Sequence, residues 1–335
     1  MKVVAIGGGT GLSTVLRGLK LHVDEVARPA AARPIITRLT AVVTVTDEGG
    51  SSGRLRRQFR ILPPGDIRNC LVALAEDEKL LTQLFNYRFT NGRGLKGHSL
   101  GNLFLTALTH LTSDFGKAVR LSSEVLAIRG EIFPSTLSDV RLRARLRNGR
   151  VISGEAQITA TKVPIRQLEI VPSRCRPLPE TLAAIEAADL ITLGPGSLYT
   201  SLIPNLLVHG IPEAIARSRA VKAYIGNLMT QPGETRGYTA SDHLRSLDNH
   251  VGGRLFDYVI VNTRELSPAL RRRYAAEHAE PVRNDFGEIR ALGVEPVTAS
   301  LLLEDQVARH DAPRLAGLLL DLAAVQKQRF VLTSS

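Results

Sequence analysis

The 335 residues, 44% hydrophobic and 22% charged, have the composition of an ordinary globular chain with apolar side chains enough for one large α/β domain or two smaller ones. The formal charge of +11 is scattered along the chain and aromatic residues make up only 4%, so it points to an anionic small-molecule pocket and an arginine-biased surface rather than to nucleic acid. Cys70 and Cys175 are too few for a disulfide framework and lack metal-ligand spacing, and no apolar run approaches the roughly 20 residues of a membrane span, so a cytoplasmic protein without membrane contact is expected.

The chain opens on a strand, Lys2 to Ile6, that runs straight into Gly7-Gly8-Gly9-Thr10-Gly11; Leu12, Val15, Leu16 and Leu19 then recur at helical spacing. From Val23 to Arg38 the sequence is rich in Ala, Arg and Pro without a period and reads as a surface connection. A second, β-branched strand, Leu39 to Val45, ends in Thr46 and Asp47. A Gly-Ser loop and the Pro63-Pro64-Gly65 turn follow, and Asp66 is placed to N-cap a helix whose apolar face is Ile67, Leu71 and Leu74. Helical patterns continue over Leu80 to Phe85, Leu100 to Leu111 and Ala118 to Leu126.

Val140, Leu142, Ala144 and Leu146 then alternate with Arg141, Arg143, Arg145 and Arg147, and Asn148-Gly149 turns the chain back into Val151 and Ile152, which predicts a half-exposed β ribbon. From Pro179 strands and helices alternate again: a helix to Ala188, strands at Leu190 to Leu193, Val221 to Ile225 and Tyr258 to Val261, and a helix near His243. The pattern predicts one α/β domain over 1–335, with a doubly wound, mostly parallel sheet and a small β insertion around 130–175.

In open parallel sheets ligands bind beyond the carboxyl ends of the strands, where helix N-termini direct free N–H groups at an anion. The loops that follow are expected to gather there. Gly8, Gly9, Thr10 and Gly11, with Leu12 opening the helix, offer bare amides and one hydroxyl. The dinucleotide fingerprint would need glycine at position 12, and a P-loop would need a Gly-Lys-Ser/Thr ending; neither is present. Asp47, followed by Ser51 and Ser52, could hold a metal, accept hydrogen bonds from a sugar or base, or cap the amides of Gly49 and Gly50.

Gly65 and Asp66 carry the same ambiguity, whereas Arg68 and Asn69 on the first helical turn could reach a phosphate or a sugar hydroxyl. His98 and Asn102 open a further helix, and a lone loop histidine is usually structural. In the second half Gly194, Gly196, Ser197, Tyr199 and Thr200 repeat the strand-to-helix arrangement, and two such loops face to face would suit a diphosphate. Asn227, Thr230, Gln231, Glu234 and Thr235 follow the next strand with groups able to read a base or a sugar.

The stretches IGGGTGLSTVLRGLK (6–20), TDEGGSSGRLR (46–56), PPGDIRNCL (63–71), GHSLGNL (97–103), GPGSLYTSLIPNLLV (194–208) and GNLMTQPGET (226–235) resemble the gluconeogenesis factor, or YvcK-like, family within the superfamily of 2-phospho-L-lactate transferase. The resemblance runs over nearly the whole chain. It implies a Rossmann-like, CofD-like fold, a cytoplasmic location and binding of a nucleotide sugar, UDP-N-acetylglucosamine in the regulator branch, in support of gluconeogenic growth, peptidoglycan precursor supply and cell shape. A regulated metabolic enzyme or cell-shape protein is the partner this implies, with a homo-oligomer left open. The transferase branch instead moves phospholactate from a guanosine diphosphate-linked donor onto a deazaflavin alcohol with magnesium, using a denser acidic cluster. Arg68 stands where that branch has a further acid, and a cation there disfavours a metal. The expectation is therefore a non-catalytic regulatory factor with no firm cofactor. The alternative is a magnesium-dependent transferase with a nucleotide-diphosphate donor and Asp47 and Asp66 as metal ligands.

Overall fold

Val3, Val4, Ala5 and Ile6 are fully buried, as a strand must be when other strands flank both its edges and helices cover its faces. The structure, a computed structural model, describes residues 1–23, 35–76 and 78–333. Its strands are β1 (Lys2–Gly7), β2 (Arg38–Val43), β3 (Glu131–Pro134), β4 (Arg141–Leu146), β5 (Val151–Ser153), β6 (Ile165–Val171), β7 (Leu190–Leu193), β8 (Val221–Ile225), β9 (Tyr258–Asn262), β10 (Glu295–Ala299), β11 (Leu302–Glu304) and β12 (Ala308–His310).

Seven of them form one sheet in the order β10-β9-β8-β7-β1-β2-β3, and every pairing in it is parallel. The expected doubly wound, Rossmann-like α/β fold is present. From β1 the chain winds outward through β2 and β3, then returns to lay β7 on the other edge of β1. The strand order reverses between β1 and β7, and a crevice opens there beyond their carboxyl ends. The helix Gly9–Lys20 closes one side of β1 and packs against the helices Gly65–Leu74 and Ala312–Thr333. Leu12, Val15, Leu16 and Leu19, the predicted helical stripe, are all buried in it.

The alternating arginine segment is β4, central in a three-stranded antiparallel sheet of order β5-β4-β6. Leu142, Ala144 and Leu146 face the core and Arg141, Arg143 and Arg145 face outward, with Arg143 bonded across to Glu169 of β6 at 2.7 Å. Two local expectations change. β2 ends at Val43 rather than Val45; beyond it Thr44 and Thr46 bond each other through their hydroxyls at 2.9 Å and Thr46 donates to the Thr200 carbonyl. Asp66 does not cap its helix: Pro64 is already helical, so the helix starts at Gly65 and Asp66 sits in its first turn. The predicted connection from 23 to 38 lies largely outside the described residues; at its ends Val23 bridges to Ile36. After Tyr258–Val261 no element was anticipated, and β10, the β11–β12 hairpin and three helices occupy that region.

The two halves of the sheet meet through backbone. A methyl group on Gly11 would run into the carbonyl of Pro195, so only glycine lets the loop after β1 lie against the loop after β7. Gly11→Ala is therefore expected to lower the unfolding free energy by about 2 kcal/mol or more. Gly253→Ala, where a Cβ meets nothing within 4 Å, should be neutral or slightly stabilising. Urea denaturation of the two variants measures the contrast, and equal costs would contradict the interlock.

Candidate functional site

The crevice at the strand-order reversal encloses about 580 Å³. Its floor is the backbone of Thr10–Gly11 from the loop after β1 and of Pro195–Ser197 from the loop after β7. Asn227 ties the second loop to the one after β8: its Nδ2 donates to the Gly196 carbonyl at 2.8 Å and its Oδ1 accepts from the Gly196 amide at 3.2 Å. Gln231 Nε2 donates to Ser197 Oγ at 2.7 Å. Arg17, Arg68 and Arg309 bring guanidinium groups to the walls. Three arginines around glycine-loop amides make a strongly anion-attracting concavity.

Several buried polar atoms of crevice residues lack a protein partner: Arg68 Nε, Gln231 Oε1 and His310 Nε2. Arg68 is otherwise held by Ser99 Oγ and Asn69 Oδ1, at 2.8 and 2.6 Å. Burial pushes the His310 imidazole down to about 4, so it is neutral near pH 7. Unpaired buried polar atoms are scarce in native proteins, and among the described residues three of the eleven belong to residues that line this crevice.

Behind the Gly8–Gly9 turn lies a group of carboxylates. A Cβ on Gly8 would meet Asp66 Oδ2 at 2.8 Å, and the Gly9 amide donates to the Asp66 carboxylate. Enclosure, with Asp47 as the next cause, raises Asp66 to about 7, against the opposing pull of the Gly9 amide and Arg68. Asp47 Oδ1 accepts from the Gly49 amide at 2.8 Å, which realises in part the cap anticipated from sequence. Glu155, on the short helix after β5, reaches across to accept from the Glu48 amide at 2.8 Å. Desolvation, and then Asp47, push Glu155 up to about 8. Among the described residues no three His, Cys, Asp or Glu side chains converge as a metal cage.

Of the residues singled out from sequence, Thr10, Gly11, Arg68, Asn69, Gly196, Ser197, Asn227 and Gln231 line the crevice. Gly8, Gly9, Gly65, Asp47, Ser52 and Asp66 form the layer behind it: a Cβ on Gly65 would collide with the Asp47 carboxylate and lie 2.5 Å from Ser52 Oγ. Leu12 is core. His98 bonds Ser51 Oγ at 2.9 Å, and burial and Arg54 hold its imidazole below the ordinary value. Asn102 Nδ2 donates to Ser52 Oγ at 3.4 Å. Glu234, buried, accepts from the Tyr199 amide and the Thr200 hydroxyl at 2.9 and 3.0 Å, bracing the π-helical turn Leu198–Leu202. Thr230 bonds the Glu280 backbone and Thr235 the Gln231 amide, and Gly194 takes a left-handed φ of 86° before the turn. The loops 63–69 and 97–102 open helices rather than following strands. Sequence reasoning missed Arg17, Arg309, His310 and Glu155. A basic-His pair after two short β-type runs was the only local hint of the β11–β12 hairpin.

The family described as 2-phospho-L-lactate transferase CofD matches residues 3–302, and the chain belongs to it. The gluconeogenesis factor of Bacillus subtilis strain 168 is 46% identical over 322 residues, covering 96% of this chain and 98% of that protein. The gluconeogenesis factor of Halalkalibacterium halodurans is 47% identical over 320 residues, 95% of each chain. A crystal structure of a Bacillus halodurans protein is similar with a TM-score of 0.88 at 46% identity, covering 95% of this chain and 98% of that one.

Because Asp66 and Glu155 titrate at about 7 and about 8 in the folded chain, against 3.8 and 4.5 ordinarily, the fold keeps protons that the unfolded chain releases. Their contribution to stability is present at low pH and is lost as pH rises through that window. Asp66→Asn removes one of the two, so the drop in melting temperature between pH 5 and pH 8 should shrink and the variant should be the more stable at pH 8. An unchanged drop would show that Asp66 is already ionised at pH 5.

Proposed function

We propose that the chain is a cytoplasmic regulatory factor that binds a nucleotide sugar, UDP-N-acetylglucosamine, and passes its bound state to a partner, a metabolic enzyme or cell-shape protein. The observation that carries this reading is the crevice in which two glycine loops meet among Arg17, Arg68 and Arg309, with unpaired atoms on Arg68, Gln231 and His310. A diphosphate resting on the Thr10, Gly11 and Ser197 amides would gain donors from both loops at once, and the arginines would neutralise its charge. Asn69, Asn227 and Gln231 supply amides suited to sugar hydroxyls or a base edge. Relatives named gluconeogenesis factor support a role in central carbon metabolism, which the proposal extends to cell-wall precursor supply.

The second reading is a magnesium-dependent transferase using a nucleotide-diphosphate donor, which the family description favours. The residues present do not suit the ion. Asp47 and Asp66 each spend an oxygen on a backbone amide, and Arg68 adds a cation two residues after Asp66.

Isothermal titration with UDP-N-acetylglucosamine and with GDP, each with and without magnesium, tests the choice. The expected result is tighter binding of the uridine nucleotide, unaffected by magnesium; magnesium-dependent preference for GDP would favour the transferase. Arg309→Ala is expected to weaken UDP-N-acetylglucosamine roughly tenfold or more, the worth of a hydrogen bond to a charged group. Changing Arg141, Arg143 and Arg145 together to Ser should leave the affinity within about twofold, because exposed charges beyond ~8 Å are largely screened.

A further inference from the structure

Tyr199 follows the loop after β7, yet its side chain points away from the crevice. Its main-chain amide is bound by Glu234, while its phenol reaches a second cavity of about 240 Å³. There Tyr199 Oη lies 3.0 Å from Tyr238 Oη and 3.4 Å from Ser246 Oγ. Burial and Tyr238 hold the Tyr199 phenol well above its ordinary value, so it stays a neutral donor.

The other walls come from separate elements. Arg147, just past β4, and Arg166, in β6, bring two exposed guanidinium groups, and Asn249 adds an amide from the helix Ala240–Val251. No carboxylate lines the cavity. Among the described residues neither arginine has a carboxylate partner, in contrast to Arg143, which Glu169 neutralises on the same ribbon. His250 brings no charge either: its Nε2 accepts from the Leu168 amide at 2.9 Å and its Nδ1 is bonded to the Ser246 carbonyl at 2.6 Å, which fixes the neutral tautomer. The histidine ring instead packs edge-on against Tyr199, with centroids 5.9 Å apart.

Two unneutralised guanidinium groups, hydroxyls and an amide converging from three directions match an anion with several oxygens pointing different ways. We propose that this cavity is a second anion site, distinct from the crevice, that takes a small metabolite carrying a phosphate monoester. A planar carboxylate would engage one guanidinium fork and leave the hydroxyl side unused, whereas a tetrahedral phosphate presents oxygens to Arg147, Arg166 and the Tyr199–Ser246 hydroxyls together. The site stands independently of the nucleotide-sugar reading, although Tyr199 belongs to the walls of one and the loop of the other.

The chain has six tyrosines, few enough for ring-labelled NMR to resolve each, with Tyr199 and Tyr238 assigned by Tyr→Phe substitution. Titration with inorganic phosphate should shift the Tyr199 and Tyr238 ring signals saturably in the wild type, and Arg147→Ser with Arg166→Ser should abolish the response. Both arginines are exposed, so the double variant should fold; Tyr238→Phe, which removes one hydroxyl, should weaken the response at Tyr199 severalfold as a second check. Absence of any shift in the wild type would overturn the proposal. A shift that persists in the double variant would also overturn it, because the phosphate would then be acting from the crevice. A response to succinate as strong as that to phosphate would overturn the phosphate chemistry.

Discussion

Everything at the crevice depends on how closely the backbone after β1 approaches the backbone after β7. Side chains cannot set that distance, because at Gly11 there is no room for one against the Pro195 carbonyl. The approach is then fastened from the second half of the sheet: Asn227 grips both the amide and the carbonyl of Gly196, Gln231 holds Ser197, and Glu234 braces Tyr199 and Thr200. The glycines that suggest a phosphate cradle are thus first of all a packing requirement. The proposed cradle would be a by-product of it, since two loops stripped of side chains bring backbone amides to a common space.

The carboxylates behind the crevice show the same economy of space. A Cβ on Gly8 or Gly65 would run into the Asp66 or Asp47 carboxylate, and the ribbon insertion contributes Glu155 through its bond to the Glu48 amide. Burial, and then the charge of Asp47, raise the affinity of Asp66 and Glu155 for protons instead of leaving a bare negative patch. A diphosphate seated over Thr10 and Gly11 therefore meets less repulsion from below than a count of carboxylates would suggest, and the arginine walls face it from the other side.

The strand-loop-helix rhythm made much of this legible. β1, β7 and β8 were read from apolar runs ended by glycine, and the arginine ribbon from its period of two, because both patterns are local. The sequence misled where a partner lay far along the chain. Asp66 has the look of a helix cap, but its carboxylate is taken by the Gly9 amide, more than fifty positions earlier. Tyr199 reads as a hydroxyl at a loop, but the π-helical turn swings its ring to the opposite side. Arg309 and His310 were invisible because the three-residue strands β11 and β12 are too short to show a period, and only the folded hairpin carries them to the crevice.

The central claim is that the facing glycine loops hold a diphosphate. A crystal structure grown with UDP-N-acetylglucosamine tests it most directly. The account predicts the diphosphate on the Thr10, Gly11 and Ser197 amides, with Arg68 and Arg309 within hydrogen-bonding distance and the Asp47–Asp66 layer untouched behind them. A nucleotide lodged instead along β8 and β9 in the hollow formed by Asn262, Arg264 and Asn284, or one whose phosphates reach the carboxylates through an ion, would contradict it.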